Sequence, residues 1–109
     1  MESHIIYLTP AAHKYGNLNI RSCGKNFFPP DVFGGSSKKK GLGVPITIKA
    51  QGLPQPIQTD IPRDKKIFRR RTWVKDFVKV NQLNSGDKIA VCRIAPRKYS
   101  ITINYELSD

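Results

Sequence analysis

The chain is poor in the residues that build metal centres and disulfide frameworks. Its two cysteines, Cys23 and Cys92, lie far apart and outside any Cys-x-x-Cys pair, and its two histidines, His4 and His13, are too dispersed to complete a zinc site with them. No metal is therefore expected, and the thiols are expected to be buried rather than joined, Cys92 within the apolar run Ile89–Ile94. No apolar run approaches the roughly 20 residues that span a bilayer. The start, Met1-Glu-Ser-His-Ile-Ile, also lacks the basic-then-apolar order of a secretory signal, so a soluble intracellular protein without a membrane partner is expected. Acidic residues are scarce, 8 against 19 Lys and Arg. Asp60 and Asp64 have neither a Glu-x-Lys partner nor a third acid close by, which argues against a metal-dependent cleavage site. Without a credible nucleophile, base or metal cluster, no catalytic residue or cofactor is assigned and the chain is not expected to be an enzyme. Long helices are missing too: eight prolines and eight glycines, concentrated in the first two thirds, cut the chain into short segments.

What is present is positive charge. The chain carries +11 on 109 residues, which favours a polyanionic partner, nucleic acid first. With 39% apolar residues it can bury one core but not two, so a single domain over 1–109 is expected. The most informative stretch, Ile67 to Asp87, joins a basic strand, a short amphipathic helix and a turn that opens another strand.

The coarse pattern is mainly β. Ile5–Leu8 and Asn17–Arg21 read as the first two strands, with the loop Thr9–Gly16 between them. Gly24–Phe28 is expected to form a helical turn that Pro29-Pro30 stops, with Phe27, Phe28 and Phe33 closing one end of the core. Gly34–Gly43 has the composition of an exposed flexible loop, and its lysines Lys38, Lys39 and Lys40 read as solvated rather than as a phosphate clamp. Val44–Lys49 and Pro56–Ile61 follow as strands, each beginning near a proline, where no ladder hydrogen bond is lost. Lys66–Arg71 is a fifth strand.

Thr72 is placed to cap a helix through Val80, with Trp73, Phe77 and Val80 facing inward at i, i+4 and i+7 and Lys75, Asp76 and Lys79 in water. Asn84–Asp87 is a turn in which Gly86 takes positive φ and Asp87 bonds local backbone. Lys88–Ile94, a hairpin through Ala95–Lys98, and Tyr99–Tyr105 complete about seven short strands. So many strands in so short a chain must curl to hide their edges, so a seven-stranded open β-barrel with one or two short helices is the expected fold.

That order of elements resembles the B3-type DNA-binding domain, the pseudobarrel of plant transcription factors and, in related form, of the recognition domains of bacterial restriction endonucleases. The likeness is carried by Leu8-Thr-Pro, Asn17-Leu-Asn-Ile20, Phe27-Phe-Pro-Pro30, and Thr72-Trp-Val-Lys-Asp-Phe-Val-Lys79 followed by Leu83-Asn-Ser-Gly-Asp87. It runs from Ile5 to Tyr105. Thr72-Trp73 stands where plant members usually have Gly-Trp, Arg21-Ser-Cys replaces a proline common there, and residues 36 to 43 form a lysine-rich insert. A prokaryotic relative from a restriction system fits better than a plant one.

The resemblance implies duplex DNA as the partner, held in the major groove by two arms that map to Thr9–Asn19 and Asp60–Arg71, with a nuclease domain in the same or another chain. The second arm also stands out from its residues alone, because a charged loop tip at 62–66 feeds an arginine-rich strand. Groove readout needs paired donors and acceptors. His13, Lys14, Tyr15, Asn17 and Asn19 supply them on the first arm, and Arg63, Asp64, Lys65 and Lys66 on the second. Arg21, Lys25, Arg69 and Arg71 can meet phosphates. Strand alternation puts Arg69 and Arg71 on one face and Arg70 with Phe68 on the other, so the pair at 69 and 71 is favoured for DNA. The competing reading is an RNA or single-strand binding barrel, which Tyr7, Tyr15, Tyr99 and Tyr105 exposed together on one sheet would favour.

Overall fold

Short apolar alternations separated by prolines and glycines become short strands. The computed structural model describes residues 2–24 and 26–104. These form seven strands, Ser3–Tyr7 (β1), Phe33–Gly34 (β2), Ile46–Ala50 (β3), Ile57–Thr59 (β4), Ile61–Pro62 (β5), Lys88–Ala95 (β6) and Lys98–Ile103 (β7), and two α-helices, Pro10–Tyr15 (α1) and Thr72–Val80 (α2). Lys25 and Tyr105 lie outside the described residues.

Five strands make one mixed sheet in the order β1-β6-β7-β3-β4, parallel only between β7 and β3, and β2 pairs parallel with β5 in a sheet of its own. The edge strands β1 and β4 are not paired with each other, so among the described residues the ladder does not close into a barrel. The period-2 pattern works as expected at the centre: Ile89 and Val91 on β6 and Tyr99 and Ile101 on β7 point into the core, in a register that sets Val91 opposite Ile101. Rings extend that core. Phe28 packs against Phe27 and Tyr99 with centroids 5.0 Å away in each case, and Phe68 links Phe28, at 6.1 Å, to Trp73, at 5.8 Å. The buried Tyr99 hydroxyl donates to the Phe27 carbonyl at 2.6 Å.

Several local expectations give way to tertiary context. Thr9–Gly16 is not a loop: Thr9 accepts a hydrogen bond from the Ala12 N–H at 3.1 Å, Pro10 opens α1, and Gly16 ends it at φ 78°. Asn17–Arg21 keeps the alternating burial of a strand but pairs only through a bridge between Asn19 and Ile67. Asn19 Oδ1 accepts from its neighbour's N–H at Arg21, 2.9 Å away, and the backbone turns into a 3-10 segment at Arg21–Cys23. Among the described residues Gly24–Phe28 makes no more than one long turn bond, from the Phe27 N–H to the Gly24 carbonyl at 3.4 Å, and the 3-10 helix follows at Pro30–Val32, beyond Pro29. Lys66–Arg71 is not a strand either: Lys66 at its start takes φ 54°, Ile67 pairs through the single bridge to Asn19, and Arg71 has already turned to helical backbone before α2.

Helix α2 ends at Val80 as expected but starts one residue early: Thr72, expected as its cap, lies inside it, and Arg71 occupies the cap without a side-chain bond. Its buried face is Trp73, Val74, Phe77 and Val78, while Val80 is 55% exposed. The turn before β6 forms as expected: Asp87 Oδ2 accepts from the Asn84 N–H at 2.7 Å, and Gly86 has φ 97°. It is fastened to the end of β1 by hydrogen bonds from Leu8 N–H to the Asp87 carbonyl and from Gly86 N–H to the Leu8 carbonyl, 2.8 and 2.6 Å. Cys23 is buried and Cys92 half-buried. No helix among the described residues is long and apolar enough to cross a membrane.

Candidate nucleic-acid interface

The two segments expected to act as arms are remote in sequence and adjacent in the fold. The Ile20 N–H donates to the Lys66 carbonyl at 2.9 Å, Asn19 bridges Ile67, and Arg71 Nη1 donates to Asn17 Oδ1 at 2.8 Å. Gly16 lies so close to Arg71 that a Cβ would stand 2.6 Å from the Arg71 carbonyl oxygen. Only glycine permits that approach together with its positive φ. The end of α1 and the residues after it are thus stitched along 66–71.

The polar side chains on this seam are exposed. Lys14, Tyr15 and Asn19 from the first arm, Arg63, Asp64 and Lys65 from the second, and Arg21 and Arg71 beside them all face water. Asn17 and Lys66 are half-buried. Lys66 Nζ lies 5.1 Å from the centroid of the Phe33 ring, and Lys14 Nζ 5.3 Å from that of Tyr15. A hollow lined by Arg21, Phe28, Phe33 and Lys66 joins the seam to β2. The surface combines guanidinium, ammonium, amide and carboxylate groups, the donor and acceptor types needed for base edges and phosphates.

Two of the expected residues are placed differently. His13 turns away from the seam, its Nε2 donating to the Leu83 carbonyl at 3.2 Å in a hollow formed with α2 and the turn after it. Arg69 turns inward. Its Nε and Nη2 bind Asp60 Oδ1 and Oδ2 at 2.7 and 2.9 Å, and Nη2 also donates to the Gly35 carbonyl at 2.7 Å. Asp60 is 6% exposed and Arg69 15%. Burial pushes the Asp60 carboxyl up, but the hydrogen bond from Arg69, the Gly43 N–H and the guanidinium charge outweigh it and hold the group below the ordinary carboxylate range. The same hydrogen bond raises Arg69 further.

The expected sharing of a face by Arg69 and Arg71 therefore does not occur; Phe68 is buried, Arg69 points at Asp60, and Arg70 and Arg71 are exposed. A regular strand would have enforced alternation, whereas here Asp60 draws its neighbour's side chain inward. Asp60 is accordingly the partner of an arginine. Among the described residues no group of three or more His, Cys, Asp or Glu gathers where it could hold a metal ion.

Sequence reasoning gave Phe33 to the end of the core and Arg70 to the face of Phe68, and did not foresee the nearness of the lysine insert to the second arm. That nearness comes from the parallel pairing of β2 with β5, which sets Phe33 opposite Ile61 and Gly34 opposite Pro62. A two-residue strand leaves no periodic signal in a sequence.

No protein-family model matches the chain, and no curated protein does. Among solved structures, the N-terminal domain of Helicobacter pylori LlaJI.R1 is similar over 100% of this chain and 91% of its own, with a TM-score of 0.62 and 14% sequence identity. At that identity the likeness is one of fold.

Proposed function

We propose that the chain is a sequence-specific double-stranded DNA-binding domain that enters the major groove with two arms, at Thr9–Asn19 and Asp60–Arg71. It acts inside the cell as the recognition part of a restriction endonuclease or a related prokaryotic DNA-targeting protein, the nuclease lying elsewhere in the same chain or in another. The observation that carries this is the seam itself. Two segments some fifty residues apart are joined side by side and expose side chains of the types that can read bases and meet phosphates, on a chain of net charge +11. The B3-like motifs and the fold likeness to the Helicobacter pylori LlaJI.R1 domain support it from two further directions. On this reading the mixed sheet and the β2–β5 pair are the two parts of an open pseudobarrel.

Lys14, Tyr15, Asn17 and Asn19 face the bases from the first arm, and Arg63, Asp64, Lys65 and Lys66 from the second. Arg21, Arg70 and Arg71 meet phosphates, with Lys25 assigned with them by its place in the sequence. Arg69 serves by holding the second arm in position through Asp60. The single-strand alternative called for Tyr7, Tyr15, Tyr99 and Tyr105 exposed together on one sheet; Tyr99 is 1% exposed in the core, Tyr15 sits on a helix, Tyr7 on an edge strand, and Tyr105 lies outside the described residues. Selection from a randomised duplex library at about 150 mM salt, where non-specific binding is weak, is expected to enrich a short motif. Equal binding of selected and random duplexes would overturn the proposal.

A further inference from the structure

The lysine-rich insert is a built element. Its two stems are clasped by the buried ion pair: Arg69 Nη2 donates to the Gly35 carbonyl on one stem, and Asp60 Oδ2 accepts from the Gly43 N–H at 2.8 Å on the other. The Gly35 N–H closes the loop on the Gly41 carbonyl at 2.8 Å, and a 3-10 turn over Lys38–Lys40 is pinned by the Lys40 N–H to the Ser37 carbonyl at 3.0 Å. Gly34, Gly35 and Gly43 have no room for a Cβ, so the stems pack backbone to backbone. The Arg63 N–H donates to the Gly34 carbonyl at 3.0 Å, which sets the second arm's tip against the loop. Between them opens a cleft of about 500 Å³ lined by Lys40, Arg63 and Asp64 among others, and Phe33 joins it to the Arg21–Lys66 hollow.

Lys39 and Lys40 are exposed, and among the described residues no carboxylate pairs with either. These bonds hold the backbone of the loop, so Lys39 and Lys40 leave it from set positions.

We propose that the loop Gly35–Gly41 is a third arm, which grips the phosphate backbone of duplex DNA on the flank next to the bases met by Arg63–Lys66. The proposal rests on the two-arm reading and adds to it a contact that carries affinity without sequence information. Lys40 at the cleft mouth then meets one phosphate of the flanking backbone, with Lys39 on the next phosphate out, while Arg63 on the facing wall stays with the bases. Asp64 is the acid in the cleft, and it faces the bases.

The test compares the wild-type chain with the K39Q/K40Q double variant on the duplex that selection enriches. Two lost phosphate contacts are expected to lower the slope of log affinity against log salt by about 1.8, at roughly 0.9 per phosphate. Hydroxyl-radical protection should disappear from one flank of the site, with the selected motif unchanged. An unchanged slope and footprint, while the wild type binds its motif, would overturn the third arm and leave the two-arm reading standing. A changed motif would also overturn it, because the lysines would then be reading bases. If the wild type itself enriches no duplex motif, the two-arm reading falls and the third arm with it.

Discussion

Asp60 does three jobs from one buried position. It pairs with Arg69, anchors the Gly43 stem, and through its carbonyl accepts from the Arg69 N–H, which ties residues 60 and 69 together. Removing one partner of a buried ion pair strands the other, so Asp60→Ala is expected to cost about 3–5 kcal/mol of stability, read from urea denaturation. Because the folded carboxyl is held below its unfolded value, its contribution is full above the unfolded pKa of about 4 and is lost as pH falls through the folded value. The stability gap between wild type and Asp60→Asn should therefore narrow between neutral pH and about pH 3. Cys23 makes a second residue-scale prediction. Burial, with a smaller push from the Glu2 charge, raises its thiol to about 11, so it should resist alkylation in the folded protein at pH 8 and react on unfolding. The third concerns the arms. Arg63→Ala should relax preference at one base position by about 1–3 kcal/mol, whereas Arg70→Ala should weaken all duplexes alike and lower the salt slope by about 1, both measured on a panel of single-base variants.

At the scale of elements, helices carry the lesson. The spacing of Trp73 and Phe77 placed α2 to within one residue, because a four-residue apolar step is a strong signal. It did not settle the face: Val74 and Val78 are buried and Val80 is not, since the neighbours of α2, chief among them α1, decide which flank of the stripe is covered. Helix α1 escaped notice because six residues carry too little periodicity, although its punctuation, Thr9-Pro10 at one end and Gly16 at the other, was in plain view. Gly16 also couples this helix to the second arm. Gly16→Ala would strain a positive φ and drive a methyl into the Arg71 carbonyl, so it should cost more than the roughly 1 kcal/mol of the backbone change alone. It should also weaken duplex binding by separating the arms, a loss detectable by anisotropy at a temperature where the variant is still folded. Exposed Val80→Ala, by contrast, should change stability by no more than about 0.5 kcal/mol.

For the whole molecule the governing quantity is charge. Nineteen basic residues against eight acidic ones favour attraction to any polyanion in low salt, so for the proposed duplex binding only its salt dependence and its selectivity are diagnostic. If about six phosphates are met, affinity should fall roughly a thousandfold between about 50 and 200 mM salt, with the selected motif still preferred over random sequence.

The sequence alone determined the class of molecule: a small, mainly β, strongly basic domain with an aromatic core, a helix at 72–80 and a tight turn at 84–87. These follow from local pattern and composition, which act within a few residues of where they are written. Tertiary structure decided what lies side by side. The Asn19–Ile67 bridge, the β2–β5 pairing, the turning of Arg69 onto Asp60 and of His13 onto Leu83 all depend on groups many residues apart. A buried carboxylate needs its partner within hydrogen-bond reach. Strand alternation could thus say that Arg69 and Arg71 ought to share a face, but only the folded position of Asp60 could say that they do not.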